Sequence, residues 1–199
     1  NIAICYGSGY AFPDGTVHAA ITADESYTSN FTNVSGCDSL VTTVIHVQSL
    51  PVVQAGADQL VCDGESVTLS ATGALVYSWT GGITNGVAFL PALQSQTYTV
   101  TGTDALGCQN TDDVQVDVTP ILTPYFQASA VTGCAPLEIT FENLTSVGIG
   151  CTWSFGDGST VTDCSAENYS YTNSGLYDVT LTITDAAGCI YTNTLLDYI

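Results

Sequence analysis

The sequence predicts an all-β protein built as three small β-sandwich modules in tandem, stapled by disulfides and arranged as a rod. Three observations predict this. A common element reads T-N-V-S-G-C at Thr32 to Cys37, T-D-A-L-G-C at Thr103 to Cys108 and T-D-A-A-G-C at Thr184 to Cys189. The copies lie 71 and then 81 residues apart, and self-similarity at such spacing marks an array of supersecondary units. Helical periodicity is nearly absent, and runs of period two rich in Val, Ile, Thr and Tyr alternate with Gly, Asp, Asn and Pro. The third observation is the cysteines, eight in 199 residues: six stand once near the start and once near the end of each module, and Cys151 and Cys164 lie close together in the third.

The first module covers residues 1–49, with strands expected at Ile2–Cys5, Tyr10–Phe12, Val17–Thr22, Ser26–Thr32 and Leu40–Val47. Pro13-Asp14-Gly15 sets a turn, since proline presets φ and glycine accepts positive φ. The second module covers 50–119, with strands at Val52–Gln54, Gln59–Cys62, Ser66–Ala71, Val76–Trp79, Thr97–Thr103 and Asp113–Val118. The third covers 120–199, with strands at Tyr125–Ala130, Leu137–Asn143, Thr152–Phe155, Asp178–Thr184 and Thr192–Asp197. Short joints containing Pro51 and Pro120 give a semi-rigid connection. Strands of this length with frequent turn signals favour sandwiches.

Eight cysteines allow 105 connectivities. The repeat selects pairing within each module: Cys5–Cys37, Cys62–Cys108 and Cys134–Cys189, with Cys151–Cys164 as an extra bridge in the third. Free buried thiols are the alternative. Zinc is disfavoured because no C-x-x-C occurs and neither His18 nor His46 stands at ligand spacing from a cysteine pair. Disulfides place the protein in an oxidising compartment, extracellular or at a cell surface. Closing the loops within modules adds roughly 4 kcal/mol each in the chain-entropy model, which matters because modules this small bury modest cores.

Composition excludes several functions. The chain has no lysine or arginine against 19 acidic residues, a formal net charge of −19, where ordinary usage would give about 20 or more basic residues. Nucleic-acid binding needs cationic side chains and is excluded; so are a basic lipid-binding patch, a P-loop or Schiff-base lysine and an arginine clamp. No apolar run approaches a membrane span, and direct membrane insertion is not expected. No secretory leader is visible, so an exported array is expected to be a piece of something longer.

Catalysis is not expected. His46 falls on the opposite phase from Val41, Ile45 and Val47, His18 follows a turn, and no G-x-S-x-G elbow occurs. Asp24-Glu25 and Asp112-Asp113 read as solvated turn residues rather than paired catalytic acids. Trp79 and Trp153, 17 and 19 residues after the first cysteine of their modules, read as core residues; a tryptophan packed on an inter-sheet disulfide is an Ig-like feature. No resident cofactor is expected, although calcium, which takes carboxylate and carbonyl oxygens, suits the uncompensated acids.

The third module carries the most specific motif. Trp153-Ser154-Phe155-Gly156-Asp157-Gly158 resembles the W-x-F-G-D-G signature of PKD domains, and Tyr169 to Asp185 resembles that family's later Y-x-x-x-G-x-Y-x-V-x-L-x-V-x-D run. Ser154 stands where the family commonly has Asp. The resemblance implies an Ig-like sandwich of an extracellular protein that spaces or adheres. The stretches Ile4 to Thr16 and Gly36 to Thr43 look like a repeat in very large surface proteins of Bacteroidota, and Val61 to Gly73 is similar to neighbouring Ig-like modules. Together they resemble the stalk of giant adhesins, including those of gliding motility exported by the type IX system. No sorting signal of that system is visible, so the segment is expected to be internal. The implied partners are neighbouring modules of the same chain, surface polysaccharide or other cells.

The alternative reading is a carbohydrate-binding accessory region of a secreted polysaccharide hydrolase, for which Tyr10, Phe12, Tyr125 and Phe126 would have to form an exposed aromatic row. Asp38-Ser39-Leu40 resembles the O-glycosylation site of Bacteroidota, which points to Ser39. N-x-S/T sequons occur at Asn30, Asn33, Asn143 and Asn168. An intact mass above that of the sequence is the expected outcome if any of these is glycosylated. A raised melting temperature at millimolar calcium is the outcome expected of a specific site, and no shift removes calcium.

Overall fold

The computed structural model describes all residues except 33–35, 37, 146–148 and 166. The expected all-β character begins at the backbone: the described elements are strands and one 3-10 turn, Thr80–Gly82. The strands, in chain order, are β1 (Ile2–Cys5), β2 (Tyr10–Ala11), β3 (Val17–His18), β4 (Glu25–Thr32), β5 (Asp38–Gln48), β6 (Gln59–Cys62), β7 (Val67–Thr68), β8 (Val76–Trp79) and β9 (Ala88–Phe89). They continue with β10 (Gln96–Thr103), β11 (Gln109–Thr119), β12 (Phe126–Ala128), β13 (Leu137–Asn143), β14 (Gly150–Ser154), β15 (Thr160–Val161), β16 (Glu167–Tyr171), β17 (Val179–Thr184) and β18 (Ile190–Leu195).

The sheets are β1-β5-β4, β6-β11-β10-β8, β12-β13-β16 and β15-β14-β17-β18, with small pairs β2-β3 and β7-β9. Two of the described pairings are parallel. β1 runs beside β5 with Ile2 opposite Ile45 and Cys5 opposite Gln48. β6 runs beside β11 with Gln59 opposite Val116 and Cys62 opposite Thr119. In both, the first strand of a sequence module lies along its last strand and ends level with it.

Two compact units are present. One comprises Asn1–Ala57, Thr68–Phe89 and Thr97–Gln115; the other comprises Asp58–Val67, Leu90–Gln96 and Val116–Ile199. Their limits differ from the expected modules at 1–49, 50–119 and 120–199, because each unit joins parts of two sequence modules. In the first unit, Phe12, Ile21 and Ile45 form a small core, joined by Ile4, Tyr10, Tyr27 and Val47. Val53, Ala55, Leu69, Ala71, Val100 and Val114 are also buried there, as are Trp79 and Tyr98. In the second unit, the sandwich of β12 to β18 buries Phe126, Ile139, Phe141, Trp153, Phe155, Tyr171, Val179, Leu181 and Ile183. Alternation along β17, with Val179, Leu181 and Ile183 buried and the threonines between them half-exposed, is the period-two pattern of a strand with one face on the core.

Most expected strands form, with shifted ends. The run Val17–Thr22 stops at His18, because Ala20 adopts a left-handed φ of 54°, which ends a ladder. Val52–Gln54 contributes a single bridge, Gln54 to Thr72. β9, β15 and β16 were not expected as strands. The two shorter ones contain two residues each, too few to show a period.

Both tryptophans are core residues, but neither needs an inter-sheet disulfide in the expected way. Trp79 donates from Nε1 to Asn85 Oδ1 (3.1 Å), and that oxygen also accepts the Ala71 N–H (2.7 Å). Trp153 is ringed by aromatics: Phe126 edge-on at 5.2 Å, Phe141 at 5.8 Å and Phe155 stacked at 6.5 Å. Replacing Phe141 with Ala removes a fully buried ring and is expected to cost about 3–5 kcal/mol. Denaturant unfolding followed by Trp153 fluorescence measures it.

Candidate functional site

The G-C element is built the same way twice. In T-D-A-L-G-C, Asp104 Oδ1 accepts the N–H groups of Leu106 (2.8 Å) and Cys108 (2.9 Å), and the Gly107 N–H donates to Asp104 O (3.2 Å). In T-D-A-A-G-C, Asp185 Oδ1 accepts those of Ala187 (2.8 Å) and Cys189 (2.9 Å), and Gly188 N–H donates to Asp185 O (3.1 Å). Gly107 and Gly188 have φ of 85° and 88°, where an L side chain would be strained. The turn therefore needs the aspartate to hold its N–H groups and the glycine to reverse the chain. It delivers a buried cysteine at the entry to β11 or β18.

The cysteine partners differ from the expected ones. Cys5 is bonded to Cys108, with Cα atoms 5.4 Å apart, and Cys62 to Cys189, at 5.7 Å. This replaces the expected Cys5–Cys37, Cys62–Cys108 and Cys134–Cys189. Cys151 is bonded to Cys164 at 4.9 Å. Cys134 is an exposed free thiol, and Cys37 lies outside the described residues. The physical reason is strand length. Cys62 sits opposite Thr119, the last residue of β11, while Cys108 precedes Gln109, the first. Eleven residues at about 3.3 Å each separate the ends of that strand by more than 30 Å, and a disulfide needs Cα atoms within about 7 Å. Cys5 lies opposite Gln48, the last residue of the eleven-residue β5, and is bonded to Cys108.

Each staple lies in a small set of matching contacts. Tyr6 N–H donates to Gln48 O (2.8 Å), and Asp63 N–H donates to Thr119 O (3.1 Å). Two residues beyond the G-C cysteine, Asn110 Nδ2 donates to Pro51 O (3.1 Å) and the Tyr191 hydroxyl donates to Pro120 O (3.2 Å). Sequence reasoning missed these partners; the joint proline before each first strand and the aspartate four residues before each G-C cysteine were the available signals.

Burial pushes the Asp185 carboxyl up, but hydrogen bonds from the Cys189 N–H, the Tyr191 hydroxyl and the Ala187 N–H outweigh it and hold it below the usual carboxylate range. Asp14 is held low by the Thr16 N–H and Asp24 by the Val47 N–H, then by His46.

The other candidates are dispersed. His18 Nδ1 lies 2.9 Å from Glu25 Oε1, and His46 Nδ1 lies 3.0 Å from Asp24 Oδ2. His46 is exposed, as its phase predicts. Asp112 Oδ2 accepts the Ala55 N–H at 2.7 Å, a structural contact; Asp113 is exposed. The aromatic row does not form: Phe12 and Phe126 are buried, Tyr10 packs edge-on against Phe12 at 5.1 Å, and Tyr125 alone of the four is exposed. Asn30, Ser39 and Asn168 are exposed, Asn143 is half-buried, and Asn33 lies outside the described residues. Asn143 Oδ1 accepts the Thr145 N–H (2.9 Å), and Asn168 Oδ1 accepts the Thr140 hydroxyl (2.6 Å). Among the described residues no group of three or more His, Cys, Asp or Glu could hold a metal ion, and no helix is long and apolar enough to cross a membrane.

The signature at Trp153 to Gly158 forms a tight turn after β14. Asp157 Oδ1 accepts the Ser159 N–H (3.0 Å), and Oδ2 accepts the Tyr169 hydroxyl, whose bond holds this carboxyl low. The Tyr169 ring stacks on Phe155 at 3.9 Å, and the buried Tyr171 hydroxyl donates to Phe155 O at 2.9 Å. Gly156, at φ 84°, has no room for a side chain: a Cβ would sit 2.6 Å from Asp178 O. The family model described as PKD domain matches residues 117–197. Residues 117–197 are a PKD domain. The PKD1 domain of the Vibrio cholerae metalloprotease PrtV is 32% identical, over 37% of this chain and 93% of that one, with a TM-score of 0.31. The PKD1 domain of Vibrio anguillarum Epp is 27% identical, over 37% and 89%, with a TM-score of 0.30. The N-terminal eight Ig domains of Down Syndrome Cell Adhesion Molecule isoform 1.30.30 align over 95% of this chain and 36% of that one, at 12% identity and a TM-score of 0.50; this likeness shows the Ig-like fold. No match was found among curated protein sequences.

The lowered carboxyls set the acid limb of stability. A depressed folded pKa contributes stability above the unfolded value, near 3.8, that is lost as pH falls through the folded value. Unfolding midpoints are therefore expected to fall below about pH 4. Asp185→Ala is expected to lower the midpoint at pH 7 and flatten the acid limb, which a pH series of thermal melts measures.

Proposed function

We propose that this chain is a load-bearing spacer segment of a large secreted cell-surface adhesin or filament, without a catalytic role of its own. The observation that carries this reading is the staggered pairing of cysteines. Cys5–Cys108 and Cys62–Cys189 each run from the first cysteine of one sequence module to the G-C turn of the next, and their loops overlap over residues 62–108. Overlapping loops give tension a covalent route that does not depend on any one sandwich staying folded. Loops of 103 and 127 residues are each worth roughly 5 kcal/mol in the chain-entropy model, less in sum because they share residues. The PKD match and the Ig-like fold support a module that spaces or adheres.

In the finer form of the proposal, the modules stand as a rod outside the cell, and the full protein belongs to the gliding-motility adhesins exported by type IX secretion. Its targets are then surface polysaccharide or other cells. Net charge of −19 keeps neighbouring segments apart at low salt, and bound calcium would relieve that repulsion.

Single-molecule stretching tests the load path. Fully unfolded, the oxidised chain can pass tension through about 60 residues: those before Cys5, between Cys62 and Cys108 and after Cys189. The reduced chain uses all 199, so at about 3.6 Å per residue its unfolded length is expected to be roughly three times greater. Equal lengths in the two states would show that the staples do not carry the load.

A further inference from the structure

In the second and third modules, the start of the last strand is covered by the proline-led segment that enters the module. The second residue of β11, Asn110, donates from Nδ2 to Pro51 O (3.1 Å), and the fourth, Asp112, accepts the Ala55 N–H (2.7 Å). The second residue of β18, Tyr191, donates from its hydroxyl to Pro120 O (3.2 Å), and the fourth, Asn193, donates from Nδ2 to Pro124 O (2.8 Å). Alternate residues of the covering segments are buried: Pro51, Val53 and Ala55 in one, Pro124 and Phe126 in the other. That is the pattern of a strand with one face on a core. The packing is close, since a Cβ on Gly102 would sit 2.5 Å from Val53 Cγ2.

The first module has the same strand in the same register. β5 and β11 are each eleven residues long, and each ends opposite the first cysteine of its module, Gln48 at Cys5 and Thr119 at Cys62. The second and fourth residues of β5 are Ser39 and Val41. Both are exposed. Val41 is 41% open to solvent, although Thr43 and Ile45, next on its face, are buried. Phe31, opposite Ser39 in β4, is half-buried. It is the last but one residue of β4, as Gly102 is of β10. A ring thus stands where the second module leaves room for Val53, and an apolar side chain stands where Asp112 accepts an N–H. The strip of Phe31, Ser39 and Val41 is uncharged, and so are both covering segments, 50–57 and 120–124. An acidic occupant would be repelled by a chain of net charge −19.

We propose that the face of Phe31, Ser39 and Val41 is a docking surface for an uncharged, proline-led segment of the same array, which covers the start of β5 as Pro51–Ala55 covers the start of β11. The occupant places an apolar residue on Val41 and a small one beside Phe31. It gives a carbonyl to the Ser39 hydroxyl, which stands where Asn110 and Tyr191 hold theirs. The first module is therefore joined through a sheet face as well as through a disulfide. The inference rests on the array reading of the preceding subsection.

The test uses the full chain with a copy of Leu50–Ala57 placed before Asn1. Asn1 precedes β1 as Asp58 precedes β6, so these eight residues keep the spacing of the second module. Tethering makes the docking intramolecular, and a weak contact becomes measurable. A second extension carries Ala in place of the copied Val53, to make room for the Phe31 ring, and a Gly/Ser extension of equal length is the control. Methyl NMR and thermal melts are the readouts. Both copies are expected to move the Val41 methyl signals and raise the melting midpoint above the control, the Ala form by more. Val41→Ser, at an exposed position, is expected to melt as the parent does without an extension and to lose the gain with one. Val41 signals and midpoints that match the Gly/Ser control for both copies overturn the docking surface, as does an undiminished gain in Val41→Ser. The Cys5–Cys108 and Cys62–Cys189 links are mapped by mass spectrometry in the same samples, so failure of this surface is distinguishable from failure of the array itself.

Discussion

The parallel pairing of the first strand with the last in the first two modules governs where their cysteines can bond. With β1 along β5 and β6 along β11, the first cysteine of a module is level with the end of its final strand. In the second module the G-C turn of Cys108 opens that same strand eleven residues earlier. The two cysteines are consequently held at opposite ends of a stiff element, and no side-chain motion can bring them to bonding distance. Each is left to find a cysteine in a neighbouring module. A staple within a module would only strengthen that sandwich, whereas a staggered one makes the covalent network continuous.

A chain with no lysine or arginine must satisfy its carboxylates by other means. Here they accept backbone N–H groups at turns: Asp14 from Thr16, Asp104 from Leu106 and Cys108, Asp157 from Ser159, Asp185 from Ala187 and Cys189. Charge-assisted bonds of this kind are stronger than neutral ones. The same residues that give the chain its negative charge therefore also fix the turns that aim its cysteines. Tyrosine takes a related part, with Tyr169 on Asp157 and Tyr191 on Asp185.

Much of the fold was legible because its signals are local. Alternation in Val179 to Thr184 marks a strand with one buried face, and Trp153 to Gly158 spells a turn whose glycine faces a backbone carbonyl. The aromatic row failed for an equally local reason: Phe12 and Phe126 are large apolar residues next to turns, and the cores claimed them. Two-residue strands such as β9 and β15 left no period to read.

The sequence by itself determined the all-β class, the repeated D-x-x-G-C turn and the kinship of the third module, because each depends on residues within a few positions of one another. Only the tertiary structure decided which cysteines meet. Cys5 and Cys108 are 103 residues apart, and Cys62 and Cys189 are 127 apart. Their pairing follows from a parallel register between the two ends of a module, and no spacing along the chain records which end of a strand its partner occupies.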